Sequence, residues 1–393
     1  MTRNITPDII YIGTDDLDIV KFENQYAVPE GMSYNSYLIK GEKTAIMDST
    51  DARTAEQWRS NLLEALDGAT PDYFVLQHLE PDHSSQIAWL LDRFPGLKIA
   101  ASARAVAMIP QFFEGISLEG RSLVMKEGDR LELGGHTLRF VMAPMVHWPE
   151  VMVSFDEETG ILFSADAFGK FGALSRSGFD SAEEKDWACE ARRYYFNICG
   201  KYGGPVQTLL KKLSSCDIRT ICPLHGPILK DDLGEYLRLY DIWSSYGVET
   251  EGVFIACASI HGGTLAAARK LEEILAARGV RTAFNDLTVD DPAEAVEDAF
   301  RYGWMVIAAS SYDAGLFPPA VFFLHDLQAK AYQNRKVAII ENGSWAPSAA
   351  RVMREMLSTM KNVEITEPAV TLKSTLKKED IPALEALAEA ISK

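Results

Sequence analysis

The segment Gln77-His78-Leu79-Glu80-Pro81-Asp82-His83-Ser84 places four side chains that can bind a metal within six residues. Neutral imidazole is the commonest protein ligand for metals, and carboxylate oxygens favour harder ions. A site that combines both groups suits iron, manganese or zinc. The rest of the chain is therefore interpreted around this segment.

The segment directly follows a compact apolar run, Tyr73 to Leu76, which predicts a buried strand. Three further β-prone runs each lead into a loop that carries one more ligand-type residue, namely His147, Asp166 and His225. Loops at strand ends can converge while the sheet stays rigid. The predicted metal site therefore has seven members: His78, Glu80, Asp82, His83, His147, Asp166 and His225.

Seven ligand-type residues are enough for two metal ions that share one carboxylate, which would screen the repulsion between the cations. Residues two apart in an extended or turning loop point the same way. We therefore expect His78, Glu80 and Asp82 to converge, with His83 approaching from the other side. Three other histidines, His136, His261 and His325, have no carboxylate at ligand spacing and are not expected to bind metal.

A length of 393 residues predicts two domains, and the composition, 47% hydrophobic and 24% charged, is typical of a soluble globular protein. No apolar run approaches the roughly 18 residues that would span a bilayer. The first residues lack a basic cap, an apolar core and a cleavage site of small residues. We expect a cytoplasmic protein that is not inserted into a membrane.

The net charge of −17 argues against binding to nucleic acid or to an anionic membrane. The five cysteines are widely spaced and contain no C-x-x-C pair, which argues against a disulfide framework or a thiolate iron site. Each cysteine is expected to be a small buried hydrophobic residue.

A single long helical region is predicted over residues 182–213.

The pattern changes near residue 250, where short apolar strands begin to alternate with helices. This alternation is typical of parallel β/α winding, so we predict a first domain over residues 1–250 and a second over residues 251–393. The loop from Ser259 to Thr264 joins a strand to a helix N-terminus, where free N–H groups and the helix dipole favour an anion.

Two later strand-end loops add aromatic side chains on which a flat ring could stack, at the sheet edge where doubly wound folds bind ligands. The three loops together give the predicted cofactor-binding residues: Ser259, Ile260, His261, Gly262, Gly263, Thr264, Ser310, Ser311, Tyr312, Asp313, Ala314, Gly315, Asn342, Gly343, Ser344 and Trp345.

The order H-x-E-x-D-H, followed by a His, an Asp and a further His, resembles the metallo-β-lactamase fold in the version found in flavodiiron proteins. The usual hydrolase motif has His where this chain has Glu80, and a carboxylate there favours iron over zinc. The loop Ser259 to Thr264 is similar to the flavodoxin phosphate-binding pattern S-x-x-G-x-T. The second loop departs from flavodoxin, with Ser310, Asp313 and Ala314 where Pro, Asn and Gly are common.

The resemblance implies an N-terminal αββα sandwich followed by a flavodoxin-like parallel sheet of order 2-1-3-4-5. It implies one iron held by His78, Glu80 and His147, and a second held by Asp82, His83 and His225. Asp166 would bridge the two irons, and Tyr195 would lie near them as a hydrogen-bond donor. Trp148 would form a wall of the site.

The implied reaction is reduction of dioxygen to water or of nitric oxide to nitrous oxide, with FMN passing on electrons from an external donor. A rubredoxin or a reduced deazaflavin is the expected donor, and a head-to-tail homodimer or a dimer of dimers would bring FMN to the irons of the other subunit. Two alternatives stay open: a zinc or manganese hydrolase with an accessory flavodoxin-like domain, and a flavodoxin-like electron carrier with an N-terminal scaffold.

Overall fold

Two β-sheets packed face to face organise the N-terminal part of the chain in the computed structural model, which describes residues 2–392. The elements up to the end of this part are β1 Arg3–Asn4, β2 Ile9–Tyr11, β3 Thr14–Asp16, β4 Lys21–Phe22, β5 Tyr26–Ala27, β6 Met32–Tyr34, β7 Tyr37–Lys40, β8 Thr44–Met47, α1 Ala55–Leu66, β9 Tyr73–Leu76, α2 Pro81–Ser84, α3 Ile87–Arg93, β10 Lys98–Ser102, α4 Ala103–Phe112, β11 Ser122–Met125, β12 Arg130–Glu132, β13 Thr137–Met142, β14 Met152–Asp156, β15 Ile161–Phe163, α5 Leu174–Ser177, α6 Trp187–Ile198, α7 Gly203–Leu213, β16 Thr220–Cys222 and α8 Leu233–Ser244.

The first sheet has the order β1-β2-β7-β8-β9-β10-β11 and the second the order β12-β13-β14-β15-β16. Apolar residues of both sheets, among them Tyr37, Val75, Phe140 and Phe163, share one core between the two layers. A second core joins the other face of the first sheet to α1, α3 and α4. This arrangement confirms the predicted αββα sandwich. Strand β14 is antiparallel to both β13 and β15, and β15 is parallel to β16, so β13, β15 and β16 run in the same direction. The loops that follow these three strands therefore leave the second sheet at the same edge.

A third, mainly parallel sheet organises the C-terminal part of the chain. Its elements are β17 Thr250–Ala258, α9 Gly263–Ala277, β18 Thr282–Asp286, α10 Pro292–Arg301, β19 Tyr302–Tyr312, β20 Gly315–Leu316, α11 Pro318–Ala329, β21 Arg335–Asn342, α12 Ala349–Leu357, β22 Val363–Ile365, β23 Val370–Leu372 and α13 Ile381–Ile391. The order β18-β17-β19-β21-β22 is the predicted 2-1-3-4-5 order. The loops after β17, β19, β21 and β23 meet at the carboxyl edge of this sheet.

The chain forms two compact units. Of the described residues, the first unit comprises 2–195 and Tyr202–Asp241, and the second comprises Phe196–Lys201 and 242–392. Within the second unit, the ring of Phe196 stacks on that of Phe300 at 4.3 Å between centroids. The domain boundary near residue 250 stays a prediction.

Two expectations from the sequence were wrong in detail. The single long helix over residues 182–213 is two helices, α6 and α7, separated by a short 3₁₀ turn at Gly200–Tyr202. Glycine is unfavourable in the interior of a helix, so the glycines in this stretch explain the break. Cys189 and Cys216 are half-buried rather than buried. Among the described residues, no helix combines the length and the apolar character needed to cross a bilayer.

His136 forms a buried ion-pair cluster away from the predicted metal site. Its Nδ1 lies 2.8 Å from Asp156 Oδ2, and its Nε2 lies 3.0 Å from Asp8 Oδ2. The hydrogen bond to Asp156 raises the pKa of His136 above its usual value, against the effect of burial. The imidazolium therefore connects β14 with the loop before β2.

Replacing His136 by leucine is expected to lower the stability of the first unit by about 2 kcal/mol, because Asp156 would lose a buried partner. Since the folded-state pKa is raised, this stabilisation is fully present below about pH 6.5 and is lost as the pH rises through the folded-state pKa. Thermal unfolding at about pH 6 and about pH 9 tests this expectation. The difference in unfolding temperature between wild type and variant should be larger at the lower pH. An equal difference at both pH values would contradict the expectation.

Candidate functional site

All seven predicted metal-binding side chains lie in two neighbouring clusters of the first unit. The first cluster comprises His78, Glu80, His147 and Asp166, and the second comprises Asp82, His83 and His225. Within each cluster the candidate ligand atoms lie within 4.8 Å of one another. Every member is buried except Glu80, which is half-buried.

Asp166 lies between the two clusters and turns one oxygen to each. Its Oδ2 is 3.1 Å from His147 Nε2 and 3.5 Å from His78 Nε2. Its Oδ1 is 3.2 Å from His83 Nε2 and 3.7 Å from His225 Nε2. A carboxylate in this position can bind two cations at once and screen their repulsion.

The spacing of the ligand atoms fits metal ions better than it fits hydrogen bonds alone. In the second cluster, His83 Nε2 is 3.0 Å from His225 Nε2, and both nitrogens are 3.3 Å from Asp82 Oδ2. Atoms bound to one ion at about 2.1 Å lie about 3.0–3.4 Å apart for angles between 90° and tetrahedral. The same spacing occurs in the first cluster, where Glu80 Oε2 is 3.1 Å from His78 Nε2 and 3.2 Å from His147 Nε2.

Unpaired buried oxygens also favour bound cations. Both carboxylate oxygens of Asp82 and Oδ1 of Asp166 are buried without a hydrogen-bond partner within residues 2–392. Burial raises the pKa of Asp82 to about 7. Burial lowers the pKa of His147, but hydrogen bonds to Asp166 and Glu80 outweigh it and raise the value to about 9. A cation would replace these protons and offset the charge of the carboxylates.

The local backbone explains how the central segment divides its ligands. His78 and Glu80 lie in the loop after β9, whereas Pro81 occupies the first position of the short helix α2, which proline favours. This helical turn directs Asp82 and His83 into the second cluster. The expectation from spacing that Asp82 converges with His78 and Glu80 was therefore wrong, because it assumed an extended loop.

Several groups behind the ligands were missed by the sequence analysis. Glu150 Oε1 lies 2.9 Å from His78 Nδ1, and the backbone oxygen of Ser33 lies 2.7 Å from His225 Nδ1. Asp48, whose burial raises its pKa to about 7, accepts the backbone N–H of Gln77 at 2.8 Å and of His78 at 3.3 Å. Glu150 directly follows the segment His147-Trp148-Pro149, which is the one signal that could have identified it.

Aromatic rings pack against the ligand imidazoles. The Trp148 ring meets that of His78 edge-on at 5.3 Å, which agrees with its predicted place in the wall of the site. The Tyr194 ring lies 5.6 Å from that of His225. Tyr195 is buried on α6 and packs edge-on against Tyr240 at 5.2 Å. Its predicted role as a hydrogen-bond donor near the metals stays a prediction.

A cavity of about 810 Å³ opens at the carboxyl edge of the third sheet, in the second unit. Fourteen of the sixteen predicted cofactor-binding residues line it, and the two that do not are Gly262 and Gly315. The loop after β21 contributes three further lining residues, and the loop after β23, which the sequence analysis missed, contributes two: Ala346, Pro347, Ser348, Ser374 and Thr375.

The base of this cavity can hold an anionic group at the N-terminus of α9. The first N–H groups of a helix have no partner within the helix and point outward. Ser259 and Thr264 add hydroxyls, and Thr264 Oγ1 lies 2.9 Å from Ser310 Oγ. Gly262 precedes the helix in a left-handed conformation, with φ of 85°. A Cβ on Gly263 would lie 2.2 Å from the backbone oxygen of Ser374, so only glycine fits there.

Two exposed aromatic side chains stand at the same cavity. Trp345 is 92% exposed and Tyr312 is 45% exposed, so both rings are accessible to a ligand in the cavity that they line. Asp313 and Ala314 both have left-handed backbones, with φ of 46° and 56°. Alanine is strained in this conformation, and glycine, which is common at this position in flavodoxins, would not be.

Comparison with known proteins finds one family model that matches residues 32–226, described as ODP family beta lactamase. The chain is 32% identical to a diflavin flavoprotein A 1 of Synechocystis, and the match covers 75% of this chain and 51% of that protein. It is 26% identical to a nitric oxide reductase of Moorella thermoacetica, covering 96% of this chain and 94% of that protein.

A solved structure of a flavo di-iron protein mutant from Thermotoga maritima has a TM-score of 0.88 and 26% identity, with 100% of this chain and 97% of that chain covered. The chain spans 51% to 63% of the length of the cyanobacterial diflavin relatives that it matches.

Proposed function

Because this chain belongs to the flavodiiron protein family, we propose that it is an oxidoreductase in which FMN passes electrons to a pair of non-haem irons. The reaction is the four-electron reduction of dioxygen to water, the two-electron reduction of two molecules of nitric oxide to nitrous oxide, or both. The observation that carries this proposal is that Asp166 has one oxygen near each cluster, in a chain that also has the cavity at the N-terminus of α9.

The residues divide between the two irons as the clusters do. His78, Glu80 and His147 would hold the first ion, Asp82, His83 and His225 would hold the second, and Asp166 would be shared by both. Iron, when bound, supplies a redox-active Lewis acid for the diatomic gas. The protein fixes the ligand positions through groups such as Asp48 and excludes water with Trp148.

The first turn of α9, with Ser259 and Thr264, would hold the phosphate of FMN, and Tyr312 and Trp345 would contact its ring. Hydroxyls and free backbone N–H groups match a phosphate, and the aromatic faces match a flat ring system. FMN, when bound, accepts electrons from the donor and passes them on to the irons. The other residues of the predicted cofactor set shape the walls of this cavity.

The domain limits at residues 1–250 and 251–393 are part of the proposal, as is a cytoplasmic location. The external donor is a rubredoxin or a reduced deazaflavin. The working form is a head-to-tail homodimer or a dimer of dimers.

Metal analysis and a visible spectrum of protein purified without oxygen test the proposed cofactors. We expect two irons and one FMN per chain. Zinc without flavin would support a hydrolase instead, and flavin without metal would support an electron carrier. Anaerobic stopped-flow mixing of the reduced protein with each gas then shows whether dioxygen or nitric oxide reoxidises it faster. Light scattering during gel filtration tests the dimer, and an active monomer would exclude it.

A further inference from the structure

The two metal clusters differ in the groups behind their imidazoles. His78, in the first cluster, has the carboxyl group of Glu150 2.9 Å from its Nδ1. His225, in the second, has only the backbone carbonyl of Ser33 beside its Nδ1, at 2.7 Å. The Nδ1 of His83, also in the second cluster, has no hydrogen-bond partner in the described part of the chain.

Glu150 is held firmly in its position. Its side chain has no exposed surface, and its Oε1 also accepts the backbone N–H of Leu79 at 3.0 Å. The backbone oxygen of Glu150 accepts the hydroxyl of Ser102 at 2.7 Å. The second carboxyl oxygen, Oε2, is buried without a hydrogen-bond partner between residues 2 and 392.

The hydrogen-bond pattern identifies Glu150 as an acceptor. His78 Nε2 faces Glu80 and Asp166 in the metal cluster, so Nδ1 carries the ring proton and donates it to Glu150. Leu79 N–H is a donor as well, so both groups at Oε1 donate. A carboxylate in this position increases the basicity of the imidazole and hence its electron donation to a bound metal.

We propose that Glu150 makes the two iron sites unequal, holding the iron of His78, Glu80 and His147 at a lower reduction potential than the iron of Asp82, His83 and His225. The inference rests on the proposed diiron function. Greater donation from His78 and the buried negative charge behind it both stabilise ferric iron relative to ferrous iron. The second site therefore takes the first electron.

Each step of this reduction adds one electron to one ferric ion and makes it ferrous, and the electron comes from the reduced flavin. The proton of His78 stays on Nδ1, and Glu150 stays an acceptor throughout. Glu150 is thus a positioning residue that acts through His78. The half-reduced centre has its ferric ion in the first cluster.

The test is a potentiometric titration of the anaerobically purified full-length protein, with electron paramagnetic resonance to follow the half-reduced diiron state. Wild type is expected to show two separated one-electron steps. Glu150→Gln keeps the size and an acceptor oxygen but removes the charge, so the lower potential should rise. Outer ligand partners change metal affinity by about 10–100-fold, and we expect an effect at the lower end of this range, about a tenfold fall in the stability constant of the half-reduced state. A tenfold change corresponds to about 59 mV for one electron.

Two further variants separate charge from architecture. Glu150→Asp keeps the charge but moves it back by one methylene. The separation between its two reduction potentials should therefore lie between the separations of wild type and Glu150→Gln. Asp156→Asn removes a comparable carboxylate–imidazole bond at His136, outside the metal clusters, and should leave the separation unchanged.

The inference is overturned if Glu150→Gln holds two irons with the wild-type separation, or if Glu150→Asp narrows the separation as much as Glu150→Gln does. If Glu150→Gln fails to hold two irons, the test rests on Glu150→Asp. The inference is then overturned if the two reduction potentials of Glu150→Asp are as far apart as those of wild type. A wild-type preparation without iron overturns the proposed function and this inference together. Two irons with an unshifted potential overturn this inference only.

Discussion

Replacing Asp166 by asparagine is expected to remove both irons from the protein and to abolish gas reduction. Asparagine matches the size of aspartate but lacks the charge between the two clusters, and only one of its two polar atoms can accept a metal bond. Loss of an outer ligand partner alone costs about 10–100-fold in metal affinity. Loss of the bridging ligand should cost more than this at each site, because its oxygens serve both clusters.

Iron analysis of the purified variant measures this effect directly. We expect close to no iron per chain, with FMN content unchanged because the cofactor cavity lies in the second unit. Asp156→Asn is the matched control, since Asp156 is an equally buried carboxylate of the first unit that binds His136. An Asp166→Asn protein that keeps two irons would disprove the bridging role.

Replacing Gly263 by alanine is expected to weaken FMN binding on the order of 100-fold. The new Cβ would lie 2.2 Å from the backbone oxygen of Ser374 and 3.2 Å from Asn342 Nδ2. The Ser374 contact is with backbone, so the loop after β23 or the first turn of α9 must move. Hydrogen bonds to a charged group contribute about 1.5–3 kcal/mol each, so displacing one or two phosphate contacts is enough for this loss.

Titration of the flavin-free protein with FMN, followed by flavin fluorescence, measures the change. Gly303→Ala is the control, because its Cβ would have ordinary contacts with Val248 at 3.5 Å and its backbone is not left-handed. Gly303 lies near the start of β19, at the opposite end of the strand from the cavity. If Gly263→Ala binds FMN as tightly as Gly303→Ala does, the phosphate is not held at this turn.

The clustering of His78, His147, Asp166 and His225 was predictable because each lies on a loop that follows a strand identified by the apolar pattern. His147, Asp166 and His225 follow β13, β15 and β16, which end at the same edge of the second sheet, whereas His78 follows β9 of the first sheet. The grouping of Asp82 was not predictable from spacing, because it depends on the helical turn that begins at Pro81. Only the family resemblance assigned Asp82 to the second metal.

The groups behind the ligands could not be found from local patterns. Glu150 and His78 are 72 residues apart in the chain, and the partner of His225 is a backbone oxygen, which no side-chain pattern records. In the second unit, three cavity loops were predicted from strand-to-helix transitions. The fourth, with Ser374 and Thr375, follows a strand of three residues, Val370–Leu372, which is too short for a periodic signal.

The exposure of Trp345 gives the protein an optical property of its own. An indole that is 92% open to water emits at long wavelength, and a flavin stacked on it would quench that emission by energy transfer. Filling of the cavity would then be visible as a loss of long-wavelength tryptophan fluorescence. Comparison with Trp345→Phe, which keeps an aromatic face, would isolate the part of this signal that comes from Trp345 among the seven tryptophans of the chain.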